Sequence, residues 1–533
     1  MKKILKKLIT LSIFLVVACL QLKAAGNGEE TTKPLEDKCA ICLESLCCKT
    51  SDEGNITPLP DCEICEVSHQ LKRYWEKDFR HRFHTKCIQV WIETNQPNST
   101  PCPICRKTII DATTLGGIKI WPKNIKIITD EVSTGPFGRN ARTLVLEYEV
   151  LTNEGFGEIK ERILSQPNLP VHLKLKFPLH IDTIPEEFFD GIHNITALIL
   201  TRNLLTALPN SISNLRALTY LDVSNTSLTC LPESIGTLEN LISLDAKNNR
   251  LESLPNTIGT LQNLRSLKLE NNKLTQLPDE ITNLNKLAFV DISNNKLENL
   301  PTNIWNLSKL EEFNISKNNL KSLPPIPGFI AGRSVLHNLT ANDNQLEALP
   351  ASIKNLVRLD KLILYNNKLK EIPSEIENLR KLEDINLINN ELEFLPDSIG
   401  NLKLLKTLQL SKNNLKSLPE TIGELERLQK LIINENQLEL LDASIVNLKF
   451  LKELSLTNNK LRALPRSMGD LLNLELLALT NNELLRLPVS LGNLTKLKRL
   501  WVSRNRLKLW PKKLLERQQR KELQIFGLKN QRP

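Results

Sequence analysis

The sequence predicts an α/β protein: a long parallel-sheet solenoid, preceded by a small metal-stabilised domain and a short β-rich connecting module. Three observations carry that prediction. A 23-residue unit, Leu-x-x-Leu-x-Leu-x-x-Asn-x-Leu, recurs through the C-terminal two thirds of the chain. Nine of the 11 cysteines crowd between Cys39 and Cys105. Between these regions lie alternating or β-branched runs at Ile118–Trp121, Ile125–Ile128 and Thr143–Val150.

Composition agrees with a folded chain. Of 533 residues, 41% are hydrophobic and 24% charged, which excludes wholesale disorder. Aromatics reach only 5%, so the apolar content is aliphatic, mostly Leu and Ile. The net charge of +10 sits at the ends. Residues 1–25 carry five Lys and no acid; residues 512–533 carry seven bases and two acids, again +5. The remainder sums to zero, so charge gives no argument for a nucleic-acid partner.

Residues 1–25 have the organisation of a signal peptide. Lys2, Lys3, Lys6 and Lys7 precede an apolar run from Leu8 to Leu20, followed by small residues at Ala24 and Ala25. The run is shorter than the ~20 residues that span a bilayer, so no permanent membrane span is expected. The alternative processing site is Cys19, whose Val-Val-Ala-Cys context is similar to a bacterial lipoprotein box. Export, as a secreted protein or as a lipoprotein through Cys19, is the expected localisation. Residues 26–36 form a linker.

Residues 37–108 hold three Cys-x-x-Cys pairs, at Cys39/Cys42, Cys62/Cys65 and Cys102/Cys105, and the string His81-Arg-Phe-His84-Thr-Lys-Cys87. Export favours disulfides. Spacing favours metal, because two thiolates separated by two residues chelate one zinc from a tight turn, and disulfides leave the histidines unexplained. These strings resemble a RING finger of the two-histidine type. The resemblance implies two zinc ions in crossed arrangement: Cys39, Cys42, His84 and Cys87 on the first, and His81, Cys102 and Cys105 on the second. The family's third ligand, normally a Cys just before His81, is absent, since Asp78 and Phe79 stand there. Cys65 is favoured for that position, with Cys62 and Asp78 as alternatives. Cys47 and Cys48 read as ordinary thiols.

The resemblance also implies a function. RING proteins dock a ubiquitin-conjugating enzyme loaded with ubiquitin and hold its thioester in a reactive pose, catalysing by orientation without a nucleophile of their own. Ile41, Trp91 and Pro103 match the family's apolar docking positions, and Arg106 matches the cationic residue that bonds ubiquitin and the conjugating enzyme together. Each has a plainer reading: the apolar three as caps on a zinc core, and Arg106 as a solvated charge.

The connecting module spans residues 109–170 and includes a helix expected over Gly157–Leu164. From 171 to 511 the repeats carry 14 ladder positions from Asn203 to Asn505, with Thr226 the single replacement. Twelve of the 13 steps are 23 residues and one is 26, where Pro324 to Gly328 adds a bulge. Pro, mostly in a Leu-Pro pair, stands six residues after the ladder position in 13 of the 14 repeats, with Asp442 the exception. This pattern is similar to leucine-rich repeats. Each unit supplies a short strand, its Leu and Ile point into one core, and the ladder Asn satisfies backbone groups of adjacent turns. Cys230 reads as a small core residue, and the basic stretch from Lys512 to Gln524 as a helical cap within 512–533.

Binding in a solenoid belongs to variable positions on the concave strand face. Those positions run from Asp222, Asp245 and Asp291, with Lys268 among them, to Ile363, Ile432 and Trp501. Tyr365, Trp501, Ile363 and Ile432 are the expected anchors for a protein substrate, with Tyr220 and Phe289 as further aromatic candidates. The chain as a whole resembles a secreted bacterial effector-type ubiquitin ligase, acting in eukaryotic host cytoplasm. The alternative function is a non-enzymatic protein-binding scaffold with a structural zinc finger.

Overall fold

The computed structural model describes strands Cys48–Thr50, Ile56–Pro58 and Ile125–Thr134, and residues 142–529 except 151, 153, 179 and 180. The chain divides into two compact units, Met1–Ile120 and Trp121–Pro533. In the first, β1 (Cys48–Thr50) pairs antiparallel with β2 (Ile56–Pro58), Lys49 opposite Thr57. The expected zinc ligands Cys39, Cys42, Cys65, His81, His84, Cys87, Cys102 and Cys105 lie outside the described residues, as do Ile41, Trp91, Pro103 and Arg106.

The second unit is one continuous ladder of strands in chain order. β3 (Ile125–Thr134) and β4 (Arg142–Val150) form an antiparallel hairpin. From β4 onward every pairing is parallel. β4 pairs with β5 (Val171–Lys176), which pairs with β6 (Ile195–Ile199). Thirteen three-residue strands follow, β7 to β19, from Tyr220–Asp222 to Arg499–Trp501, and β20 (Gln524–Phe526) completes the ladder. Seventeen parallel strands therefore make the sheet, 14 from the recognised repeats with β4 and β5 before them and β20 after. The second half of the connecting region thus supplies the first turns of the solenoid. Helix α1 (Gly155–Leu164) closes that end by burying Phe156, Ile159 and Ile163.

Register is set by the repeat length. Leu221, Leu244 and Leu267 stand opposite one another and are fully buried. With Ala246, Leu251, Ile258 and Leu261 of the same turn they form a core that continues from repeat to repeat. Burying each such Leu or Ile contributes roughly 1.5–3 kcal/mol. Most Leu-Pro prolines end the extended segment and open a short 3-10 helix on the convex side; Pro255, at φ −68° and ψ 147°, precedes Asn256–Thr260. Proline suits a position whose amide has no ladder partner. Where Asp442 replaces it, the carboxylate accepts the Ser444 amide at 2.7 Å and caps the helix instead.

The ladder Asn is the second structural device. Asn272 Nδ2 donates to the carbonyls of Ala246 and Leu269, each at 3.0 Å, and its Oδ1 accepts the Leu251 amide at 3.0 Å. One amide thus ties three stretches of two adjacent repeats, which an apolar side chain could not do. The 26-residue repeat keeps the same bonds, Asn344 reaching Ile315 O at 3.0 Å. Its three extra residues are absorbed on the convex side.

The C-terminal stretch departs from expectation. Helix α2 covers Lys512–Gln519 only, and the chain then returns to the sheet as β20. Cys230 is exposed and does not fill the core. It sits between Thr229 and Leu231, where Leu228 and Leu231 turn inward and the intervening pair faces out.

Candidate functional site: the concave sheet face

In each three-residue strand the middle side chain enters the core, and the first and third face the concave side, the alternation that a pleat imposes. Two residues beyond each strand a further side chain joins that face. These three columns carry most of the residues expected to bind a partner.

At the N-terminal end the columns hold a polar network. Asp222, Asp245 and Asp291 each accept the backbone amide two residues on, at 3.0, 3.3 and 2.9 Å. They therefore shape the turn that leaves the strand as well as presenting charge. Asp291 also accepts Asn314 Nδ2 at 2.9 Å. Lys247 lies between Asp245 (3.7 Å) and Glu270 (3.6 Å). Asp245 is only 6% exposed.

Burial chiefly, then the neighbouring charge of Asp222, pushes the Asp245 carboxyl above the usual range. Glu270 is raised in the same way, by burial and then by Asp291 and Asp245. Burial and the facing Asp222 and Asp245 push the Tyr220 phenol up to about 12. The Asp245 charge in turn holds Lys247 protonated to higher pH. Lys268 stands over the Phe289 ring, 5.8 Å from its centre.

The expected anchors are placed as follows. Ile363 is the third residue of its strand and half-buried, and Tyr365, two residues on, is also half-buried. Ile432 lies in the Ile363 column but is only 9% exposed, so it offers a partner little area. Between them and the C-terminal end runs a hydroxyl and amide patch, in which Asn434 accepts Ser455 Oγ at 2.6 Å and the Thr457 amide at 2.9 Å. Trp501 stacks on Phe526 of β20, and the Arg499 guanidinium lies 5.6 Å from its ring centre. The structure brings Trp501, Phe526, Arg499 and Ala478 together; it keeps Tyr365 and Trp501 six strands apart along the sheet.

Phe526, Lys247 and Glu270 escaped the sequence reading. The signal for Phe526 is the alternation Leu523-Gln-Ile-Phe526 with Asn530 five residues after Ile525, the spacing that separates Leu500 from Asn505. An outer ladder was missed too: Asn248, Asn271 and Asn294, all at positive φ, each donate Nδ2 to the Oδ1 of the equivalent Asn one repeat earlier, Asn294 to Asn271 at 2.6 Å. Among the described residues no group of three His, Cys, Asp or Glu is arranged to hold a metal ion.

Comparison with known proteins bears directly on this geometry. A leucine-rich repeat region model matches residues 191–269 and 374–460, and a second leucine-rich repeat model matches 263–284. The solved structure of the leucine-rich repeat protein LIC12759 from Leptospira interrogans is 32% identical, covering 69% of this chain and 97% of that one with a TM-score of 0.57. The chain belongs to the leucine-rich repeat proteins. The repeat array is also similar to the plant peptide hormone receptor RGFR1, solved in complex with RGF2, at 26% identity, 70% and 68% coverage and a TM-score of 0.52.

Two curated relatives carry a different name. RING-H2 finger protein ATL16 of Arabidopsis thaliana is 27% identical over 84 residues, 16% of either chain. RING finger protein 150 of Danio rerio is 24% identical over 171 residues, 32% of this chain and 34% of that protein. The leucine-rich repeat chain therefore spans only a small part of both.

Proposed function

We propose that this leucine-rich repeat protein is a RING-type ubiquitin ligase that selects protein substrates with the concave face of its array. The observation that carries the reading is the run of Cys and His at zinc spacing within residues 37–108, supported by similarity to two RING finger proteins. The donor set fits zinc, since thiolate and imidazole are the ligands of structural zinc sites. Cys39, Cys42, His84 and Cys87 would hold one ion. His81, Cys102 and Cys105 would hold the other, with Cys65, Cys62 or Asp78 as its fourth donor. The metal supplies the folding free energy of a stretch too poor in apolar residues to form a core alone.

In this reading Ile41, Trp91 and Pro103 dock the conjugating enzyme. Arg106 bonds ubiquitin and the enzyme together and so restrains the thioester. The leader exports the chain, by cleavage near Ala24 or by lipidation of Cys19, and the ligase acts in eukaryotic cytoplasm. Similarity of the array to a Leptospira interrogans protein supports a bacterial source of that kind.

Ubiquitin discharge from loaded conjugating enzymes tests this reading with the full chain. Ile41→Ala weakens docking, whereas Arg106→Ala leaves docking and slows discharge, because its bonds form in the loaded complex. Metal analysis of the reduced chain should find two zinc ions. Absence of discharge across a broad enzyme panel removes the ligase reading. The scaffold reading then stands, and the missing Cys before His81 is the observation in its favour.

A further inference from the structure

The edge of the solenoid where each repeat runs from its ladder Asn to its Leu-Pro changes character along the chain. Three outward columns define it: the two residues between the consecutive Leu positions, and the residue after Pro. Through Glu439 these columns are mainly acidic, with Asp279, Glu347, Glu371, Glu393, Asp397 and Glu420 among them and Lys321, Lys370 and Lys416 as their cations. From Leu440 onward they hold no acid. The cations there are Arg462, Arg466, Arg486, Lys508 and Lys512, all exposed. Between them stand Leu440, Leu485, Val489 and Leu509, with 68, 56, 77 and 76% of their surfaces in solvent.

These residues are neighbours. Arg486 pairs with Leu509 in an isolated parallel bridge. The Lys508 amide donates to Leu485 O at 3.5 Å and the Arg462 amide to Glu439 O at 3.4 Å, so the columns stack repeat upon repeat. Val489 and Lys512 follow the prolines of consecutive turns. Arg462 pairs with Glu483 at 3.6 Å and Lys512 with Glu516 at 3.8 Å. Arg466, Arg486 and Lys508 form no ion pair among the described residues.

We infer that this C-terminal edge is a docking surface for anionic lipid bilayers. Large aliphatic side chains that project singly, with Leu485, Val489 and Leu509 flanked by cations, match an interface in which hydrocarbon enters the headgroup region and the cations meet anionic lipid. A protein partner would instead favour a packed apolar cluster in a depression. Nothing else in the fold requires these Leu and Val, because the core beneath is already complete at Leu438, Leu461, Leu484 and Leu507. The surface adheres without crossing: among the described residues no helix is long and apolar enough to span a membrane. This role is independent of the ligase reading.

Vesicle co-sedimentation of the full chain, on phosphatidylcholine with and without phosphatidylserine, tests it. The wild type should bind the anionic vesicles preferentially and release in salt. Leu485→Ser/Val489→Ser/Leu509→Ser and, separately, Arg466→Glu/Arg486→Glu should each lower affinity about tenfold or more, with unchanged urea midpoints because all five sites are exposed. Both variants keep residues 1–25, so equal binding by variants and wild type would assign adhesion to the leader and overturn the inference. Equal binding of the wild type to neutral and anionic vesicles also overturns it. So does binding to polyglutamate with none to vesicles, which would give the edge to an acidic protein.

Discussion

The Trp501 indole stacks on the Phe526 ring with centroids 5.3 Å apart and planes 14° from parallel. One residue belongs to the last recognised repeat, the other to the strand that follows it. The end of the concave face is therefore built by the tail. Phe526→Ala removes a stack worth about 0.5–1.5 kcal/mol together with some buried area. Hydrogen exchange at Arg499–Trp501 should quicken while repeats near the N-terminal end keep their protection. Unchanged exchange at Trp501 would show that the stack does not hold the edge.

Thr226 is the weak rung of the inner ladder. Its hydroxyl donates to Val223 O at 3.0 Å and to Asn249 Oδ1, but it makes neither inter-repeat bond toward Leu200 O or the Leu205 amide that an Asn makes elsewhere. Thr226→Asn should supply both and raise stability by about 1 kcal/mol, read as a higher urea midpoint. A lower midpoint would mean that the local backbone has adapted to Thr.

Gly469 marks the closest approach between convex turns. A Cβ there would lie 2.1 Å from Ser490 O and 2.7 Å from its carbonyl carbon. Gly469→Ala should cost about 1–3 kcal/mol because backbone, not a flexible side chain, must move. Gly157 in α1 is the control, with nothing within 4 Å of the added carbon. Gly157→Ala should be neutral or stabilising by up to about 1 kcal/mol, since Ala restricts the unfolded chain.

Arg517 closes the C-terminal end. It is 9% exposed, and its guanidinium donates to the carbonyls of Leu494, Thr495 and Leu497 at 2.5, 3.1 and 2.8 Å. Arg517→Met keeps the aliphatic stem but strands the Thr495 and Leu497 carbonyls, while Leu494 O keeps the Leu497 amide at 3.0 Å, at a cost of about 2–3 kcal/mol. The loss should appear first as exchange at residues 494–497. A uniform loss of protection along the array would contradict a local cap.

The acidic end of the concave face makes stability depend on pH. Asp245 binds its proton more tightly folded than unfolded, so the stability gained from this is full below the ordinary carboxylate range. It is lost as pH rises through the raised folded value. Asp245→Asn keeps an acceptor for the Lys247 amide and removes that loss. The variant should gain on the wild type as pH rises from about 4 to about 7, measured as the difference in urea midpoints. A constant difference would show that burial does not govern this carboxyl.

The array was legible because one period of 23 residues fixes strand, ladder and convex turn together, and every Leu of the unit has a single role. Asp245 shows where that legibility ends. Its column was clear from the sequence, but its burial depends on Lys247 and on residues a full repeat away. Ile432 is likewise more buried than its place on the concave face implies. Cys230 looked like filler because small residues do enter cores, yet its place between inward Leu228 and Leu231 points it outward. Gln524–Phe526 was missed as a strand because only Ile525 and Asn530 keep the spacing of the unit, with Gly527 standing where Val502 stands one repeat earlier. The expected zinc ligands rest on their spacing alone and lie outside the described residues.

The offsets of the ladder bonds have an evolutionary consequence. Asn272 reaches back 26 and 3 residues for its acceptors and is reached from 21 residues back, and the same offsets recur at Asn295, Asn390 and Asn482. A duplication or deletion of one whole unit, cut at any point in the repeat, therefore rejoins with all three bonds intact. Tolerance at Asn344 extends this to units lengthened on the convex side, where the reach becomes 29 and 24 residues. The array can thus change length by unequal recombination without passing through an unfolded ancestor, carrying new concave surface with each copied unit.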